Sequence, residues 1–226
     1  NENVIAGQGT IGLEILHDLD DVDIIVVPIG GGGLISGVAL AAKKLKPSVK
    51  VYGVQAAGAP SMFNSLRDGK IECLDKVSTI ADGIAVKQPG ENTFEICKTY
   101  VDEVVTVTED EISSAILTLI EQQKMIAEGA GAVSVAAVMF GKIPELAGKK
   151  VVCVVSGGNI DVTILSRVIK RGLLTSGRSC SLCIELLDKP GQLQQVSEII
   201  AGLGGNVISV HHERASETTD INGCYL

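Results

Sequence analysis

Pro28-Ile29-Gly30-Gly31-Gly32-Gly33-Leu34 follows the apolar run Ile24-Ile25-Val26-Val27 and precedes a segment in which Leu34, Val38, Ala41, Ala42 and Leu45 fall on one helical face. Glycine costs about 0.5–1 kcal/mol per residue relative to alanine in a regular element. Four of them between a strand and a helix therefore imply a backbone that something approaches closely. Lys43, Lys44 and Lys46 close the helix where cations suit its dipole, and Pro47 stops it. Val49 to Val54 reads as a second strand, which makes a β-α-β unit with parallel strands.

A strand, a glycine loop and a helix N-terminus together favour an anion, because the first-turn N–H groups lack intrahelical partners and sit at the positive end of the dipole. The dinucleotide pattern G-x-G-x-x-G fails, since Ile35 and Ser36 stand where its last glycine would fall. No Gly-Lys-Ser/Thr follows at P-loop spacing either. A compact phosphate, without a diphosphate or magnesium, is the expected ligand.

The chain has 226 residues, room for one large domain or for one domain and a smaller companion. Hydrophobic residues make up 46% and charged ones 20%, enough for a sizeable core and against global disorder. Nucleic acid is an unsuitable partner: aromatics are 3%, Trp is absent, the net charge is -8, and Lys/Arg runs stop at pairs such as Lys43-Lys44. No apolar run reaches the ~18–20 residues that a membrane-spanning helix needs. The six cysteines (Cys73, Cys97, Cys153, Cys180, Cys183 and Cys224) are scattered, with no secretory signal visible ahead of them, so a reduced, cytoplasmic setting is expected. Cys180 and Cys183 form a lone C-x-x-C in a strand-like run, where residues three apart face opposite ways, so no metal or redox site is expected there.

Outward from the central unit, Gly7-Gln8-Gly9-Thr10 is expected to open the first helix, with Thr10 as its cap and Ile11, Ile15, Leu16 and Leu19 on one face. Residues 56–98 give mixed signals around the loop Ala81-Asp82-Gly83-Ile84-Ala85, and long irregular segments of this kind tend to line a site. Val104 to Val107 reads as a strand. Thr108 with Glu111 forms a capping box, and Ile112, Ala115, Ile116, Leu119 and Ile120 repeat with helical period. Gly129 to Gly131 interrupt that pattern before a small-residue helix from Ala132 to Phe140. Val151 to Val155 is a continuous apolar run expected to be buried on both faces. It leads into Ser156-Gly157-Gly158-Asn159 and a helix with Val162, Leu165, Ile169 and Leu173. Two small-residue loops at the carboxyl ends of parallel strands can face one ligand.

Thr175 to Arg178 reads as a linker. Beyond it, a strand over Leu182 to Leu187, the turn Asp188-Lys189-Pro190-Gly191, a helix with Leu193, Val196, Ile199, Ile200 and Leu203, and a strand over Val207 to His211 mark a separate small module. The expected domains are therefore residues 1–175 and 176–226.

With both loops placed, the chain resembles the threonine dehydratases of the pyridoxal-phosphate β-elimination family (fold type II), in the form that carries a C-terminal ACT domain. The likeness rests on Ala6-Gly7-Gln8-Gly9-Thr10, Pro28 to Leu34, Ala81 to Val86, Glu128-Gly129-Ala130-Gly131-Ala132, Ser156-Gly157-Gly158-Asn159 and the ACT-like stretches Asp188 to Leu193 and Gly205-Asn206-Val207. It implies an α/β fold, a partial three-layer parallel sheet followed by a truncated α+β ACT-like module. It implies that amides of Gly30, Gly31, Gly32, Gly33 and Leu34 hold the phosphate of pyridoxal 5'-phosphate and that Ser156 faces the pyridine nitrogen. A hydroxyl can donate to a neutral pyridine but cannot keep it protonated as a carboxylate would, which makes the ring a weaker electron sink. Gly83 would lie beside the cofactor, and Glu128 near the pyridine edge, with an ordinary helix-end carboxylate as the alternative for Glu128.

The family holds its cofactor covalently on a lysine in an upstream segment that also supplies a serine and glycine loop for the substrate carboxylate. Neither is recognisable here, so the chain is expected to be a C-terminal piece, with no catalytic residue assigned within it. Lys87 alone among the lysines lies in a loop near a site motif. Gln55 occupies the place where some relatives carry an acidic cation ligand, and no metal is expected. The implied reaction converts L-threonine, or L-serine, to 2-oxobutanoate or pyruvate and ammonia, in isoleucine biosynthesis or threonine catabolism. An amino-acid or nucleotide effector and a homo-oligomer are the implied partners. A serine racemase and a non-catalytic amino-acid-sensing fragment are the alternatives.

Overall fold

Ile24–Pro28 (β1) is buried along its whole length, and its alternation assigns each residue to one side of a sheet. In the computed structural model, which describes residues 1–214 and 223–225, Ile24 and Val26 join one core cluster with Ile112, Ile116 and Val133, while Ile25 and Val27 join another with Val38, Met62 and Phe94. The molecule divides into two compact units, Asn1–Arg178 and Ser179–Leu226.

In the first unit, helix α1 (Glu2–Asp18) precedes β1, and α2 (Gly33–Leu45), β2 (Lys50–Ala56), α3 (Ser61–Asp68), α4 (Glu91–Tyr100), β3 (Glu103–Val107), α5 (Glu109–Thr118), α6 (Gly129–Met139), β4 (Val151–Cys153) and α7 (Val162–Thr175) follow. The strands form a parallel four-stranded sheet in the order β3-β2-β1-β4. Side chains from α2, α3 and α4 cover one face and those from α5, α6 and α7 the other, giving three layers. The chain steps outward from β1 to β2 to β3 and then returns to place β4 on the free side of β1. The order of strands thus reverses between β1 and β4, and in open α/β sheets such a switch point leaves a crevice at the carboxyl ends of the two strands.

Three expectations are corrected. Helix α1 begins at Glu2 and is capped by Asn1, whose Oδ1 accepts from the Asn3 N–H at 3.0 Å, so Gly7 to Thr10 lie inside it rather than at its start. Gly9, with Gly12 further along the helix, serves a crossing with α2. A Cβ on Gly37 of α2 would stand 2.4 Å from the Ile5 carbonyl oxygen and 2.6 Å from the Gly9 nitrogen, and one on Gly12 would stand 2.9 Å from the Val38 carbonyl oxygen. Second, Gly129 to Gly131 form the first turn of α6 instead of separating it from the preceding helix. The preceding helix, whose capping box of Thr108 and Glu111 is formed, widens into a π-turn over Leu119–Gln123 and ends at Lys124 with φ 56. Third, β4 is half-buried and spans Val151–Cys153, with the Val154 N–H still bonded to the Val26 carbonyl at 2.9 Å. Both faces are packed as expected, Val151, Cys153 and Val155 against one core cluster and Val152 and Val154 against the other, but among the described residues β4 is hydrogen-bonded to β1 alone, and this open edge leaves it half-buried.

The α1–α2 crossing sets a stability test. Gly37→Ala is expected to lose about 3 kcal/mol, the upper range for overpacking against backbone that cannot yield. Gly7→Ala, whose Cβ would meet nothing within 4 Å, is expected to gain about 0.5–1 kcal/mol from helix propensity. Urea unfolding of both variants checks the pair, and equal stabilities would remove the close crossing.

The second unit comprises β5 (Glu185–Leu187), helix α8 (Gln192–Gly202), β6 (Glu213–Arg214) and β7 (Gly223–Tyr225), in an antiparallel sheet ordered β5-β7-β6. Residues 207–211, read as a strand, are instead exposed and irregular, with Ile208 86% accessible. The strand expected from Leu182 begins only at Glu185. Alternation alone did not supply a partner strand for either segment. No helix among the described residues is long and apolar enough to cross a membrane.

Candidate functional site

At the switch point, the Ile29 N–H still bonds the Val54 carbonyl at 2.8 Å, and Gly30 to Gly32 then leave the sheet. The first bond of α2 runs from the Ser36 N–H to the Gly32 carbonyl at 3.0 Å, so the N–H groups of Gly33, Leu34 and Ile35 precede the helical ladder. The glycines differ in what they require. Gly32 has φ +94, and a Cβ there would lie 2.8 Å from both Met62 Cε and Thr93 Cβ, so this position needs glycine for the turn itself. A Cβ on Gly31 would meet nothing within 4 Å. The loop is open on that side.

From Gly30 a continuous run of close contacts, backbone and side-chain, leads to the second loop. A Cβ on Gly30 would stand 3.1 Å from Ile84 Cα and 3.5 Å from the Gly83 carbonyl oxygen. One on Gly83 would stand 3.1 Å from Ala130 Cβ and 3.5 Å from Glu128 Oε1. Glu128, the residue before α6, donates its N–H to the Gly157 carbonyl at 3.1 Å and accepts the Asn159 N–H on Oε2 at 3.1 Å. A Cβ on Gly131 would stand 2.6 Å from the Gly157 carbonyl oxygen. The structure therefore links Gly30, Gly83, Glu128 and the loop of Ser156, and Gly31 to Leu34 continue from Gly30. Ser156 is exposed directly after the β4 segment.

These residues fit a phosphorylated pyridine. Free amides at a helix start and an open Gly31 suit a phosphate, while an exposed hydroxyl at the end of the neighbouring strand suits a ring nitrogen. The Glu128 carboxylate holds a backbone N–H of the second loop, which combines the helix-end reading with a place beside it. Lys87 is exposed and donates to the Asp75 carbonyl at 2.9 Å. Gln55 is buried with both ends bonded, Nε2 to the Ile29 carbonyl at 3.3 Å and Oε1 to the Phe63 N–H at 2.9 Å, so it ties the end of β1 to the start of α3. Burial pushes the Cys97 thiol up to about 12 and the Cys153 thiol up to about 11, which makes both inert at neutral pH.

Sequence reading missed Thr93, in the first turn of α4. Its Oγ1 lies 2.6 Å from the Gly31 carbonyl oxygen and 2.9 Å from that of Gly90. No local spacing signals a contact across 62 positions. In the second unit, ligand atoms of Asp188, His212 and Cys224 lie within 4.8 Å of one another, a grouping that the cysteine spacing did not indicate.

Residues 1–157 match the family profile described as Pyridoxal-phosphate dependent enzyme. An L-threonine ammonia-lyase of Thermotoga maritima is 55% identical over 219 residues, covering 97% of this chain and 54% of that protein. The processed form of threonine deaminase isoform 2 from Solanum lycopersicum superposes with a TM-score of 0.70 at 40% identity, covering 76% of this chain and 50% of that one. Maize serine racemase superposes with a TM-score of 0.67 at 36% identity, covering 76% and 54%. The chain spans about half the length of the curated relatives it matches.

Proposed function

The chain belongs to the pyridoxal-phosphate dependent enzymes, and on that premise we propose that the protein dehydrates and deaminates L-threonine, with L-serine as a second substrate, to 2-oxobutanoate or pyruvate and ammonia. The observation that carries this reading is the meeting of two small-residue loops at the β1/β4 switch point, bridged by Gly83 and Glu128. Identity to an L-threonine ammonia-lyase supports the choice of substrate.

Pyridoxal 5'-phosphate, when bound, supplies the electron sink that acidifies the amino acid Cα–H bond and permits loss of the β-hydroxyl. This chain's residues bind and orient. Amides of Gly30, Gly31, Gly32, Gly33 and Leu34 take the phosphate. The Ser156 hydroxyl donates to the pyridine nitrogen without transferring a proton to it, which suits prompt departure of a β leaving group over reprotonation at Cα. Glu128 fixes the loop that presents Ser156, and the absence of a side chain at Gly83 leaves room beside the ring. The covalent lysine and the carboxylate-binding loop are assigned to an upstream segment. Residues 1–175 form the cofactor-binding part and 176–226 an ACT-like regulatory part answering an amino-acid or nucleotide effector. A cytoplasmic homo-oligomer completes the reading.

The maize structure favours one rival, a serine racemase. The full-length protein is expected to release 2-oxobutanoate and ammonia in equal amounts from L-threonine, and D-serine formation outpacing pyruvate release would overturn the lyase reading. Ser156→Ala is expected to slow elimination about tenfold, the equivalent of one lost hydrogen bond of ~1.4 kcal/mol, with cofactor affinity nearly unchanged. An unaltered rate would take Ser156 away from the pyridine.

A further inference from the structure

Gly31 and Gly32 are joined by a peptide that has unusual freedom to rotate. Glycine tolerates positive and negative φ alike, so a peptide between two glycines can turn over without steric penalty. In the observed orientation the Gly31 carbonyl points at α4, where it accepts from Thr93 Oγ1 at 2.6 Å and from the Gly90 N–H at 3.4 Å. A trans peptide places its C=O and the following N–H on opposite sides. With the Gly31 carbonyl held toward α4, the Gly32 N–H is directed away from α4. Turned over, the same peptide would direct a carbonyl lone pair to the side that now presents an N–H, and an anion would be repelled.

We propose that Thr93 is a positioning residue that locks the Gly31–Gly32 peptide in the anion-binding orientation. The proposal rests on the phosphate reading of this loop. Thr93 is 7% exposed, so water does not readily replace its hydroxyl. Its hydroxyl has one hydrogen to give, and the shorter of its two contacts, 2.6 Å against 2.9 Å to the Gly90 carbonyl, assigns that hydrogen to Gly31. The loop is also pressed onto it, since a Cβ on Gly32 would lie 2.8 Å from Thr93 Cβ and 2.9 Å from its Oγ1. Thr93 would not touch the phosphate. It acts through the orientation of the peptide that does.

The test compares pyridoxal 5'-phosphate with pyridoxal, which lacks the phosphate, as ligands of the full-length protein. Thr93→Val keeps the branched shape and removes the donor; Thr93→Ser keeps the donor. The valine variant is expected to lose about tenfold in affinity for pyridoxal 5'-phosphate, the cost of one buried hydrogen bond and the orientation it fixes, with pyridoxal affinity unchanged. Serine is expected to restore the wild-type ratio within about threefold, given the scatter of such contributions. The 31P resonance of the bound phosphate is expected to shift in the valine variant and return in the serine one. An unchanged ratio of affinities in a folded Thr93→Val protein would overturn the proposal. A wild type that binds the two ligands equally would instead overturn the phosphate site, which separates the two failures. If the valine variant does not fold, Thr93→Ala, which also lacks the donor, takes its place: a lowered ratio supports the lock and a wild-type ratio overturns it.

Discussion

Gly31→Asp is expected to weaken pyridoxal 5'-phosphate binding at least about a hundredfold while the protein stays folded. Folding should survive because Gly31 is absent from the positive-φ glycines and a Cβ there would meet nothing within 4 Å. The aspartate would put a carboxylate beside the amides of Gly33 and Leu34, where it competes for the helix start that the phosphate needs. Two unit charges about 4 Å apart repel by ~4 kcal/mol at an effective dielectric near 20, and a phosphate carries more than one. A hundredfold loss corresponds to ~2.7 kcal/mol, so the expectation holds even after screening removes a third of that repulsion. Spectroscopic titration with pyridoxal 5'-phosphate, beside circular dichroism and thermal unfolding, checks it. Affinity within a fewfold of wild type, in a folded variant, would mean that the phosphate lies elsewhere. Gly32→Asp gives a contrasting control: φ +94 and the 2.8 Å approach to Thr93 predict loss of the turn itself, so there binding and stability should fall together.

How much of this could be read from the sequence depended on whether the deciding interaction was local. The β-α-β unit around Gly30 to Gly33 could, because apolar runs, lysines at a helix end and Pro47 all act within a few residues of one another. The capping box of Thr108 and Glu111 could for the same reason. Gly9, Gly12 and Gly37 could not. Glycine serves equally as a helix opener and as the flat surface that lets two helices touch, and only the partner's backbone, up to 32 residues away between Ile5 and Gly37, decides between them. The run Val151 to Val155 was legible as packed on both faces but not as a half-buried edge, because apolar composition reports an affinity for cover and says nothing of whether a neighbouring strand stands beside it. At the site, Gly30, Gly83 and Glu128 were each recognisable from family resemblance. That Glu128 accepts from Asn159, and that Thr93 grips Gly31, are long-range contacts whose pairing no spacing rule encodes.

The same dependence on close backbone approach makes Gly131→Ala the second large effect, and one that separates the two halves of the site. A Cβ at this position would lie 2.6 Å from the Gly157 carbonyl oxygen and 3.0 Å from the Gly157 nitrogen, so the loop bearing Ser156 must retreat by close to an ångström to restore normal contact. Helix α6 cannot yield instead: Gly129, two residues earlier, is already set where a Cβ would stand 2.6 Å from the Ile80 carbonyl oxygen. Displacements of about 1 Å in catalytic positioning cost on the order of a hundredfold in rate. The variant is therefore expected to lose about a hundredfold in kcat for L-threonine elimination, more than the roughly tenfold of Ser156→Ala because the shifted loop would misplace the ring as well as withdraw the hydroxyl, with about 1–3 kcal/mol of stability lost to overpacking. The glycine loop after β1 is untouched by this change, so the preference for pyridoxal 5'-phosphate over pyridoxal should persist. A merely structural role would lower both ligands' binding and the rate together as the folded fraction falls. Normal kcat in Gly131→Ala would show that the second loop can shift without consequence, and Ser156 would lose its assigned place at the ring.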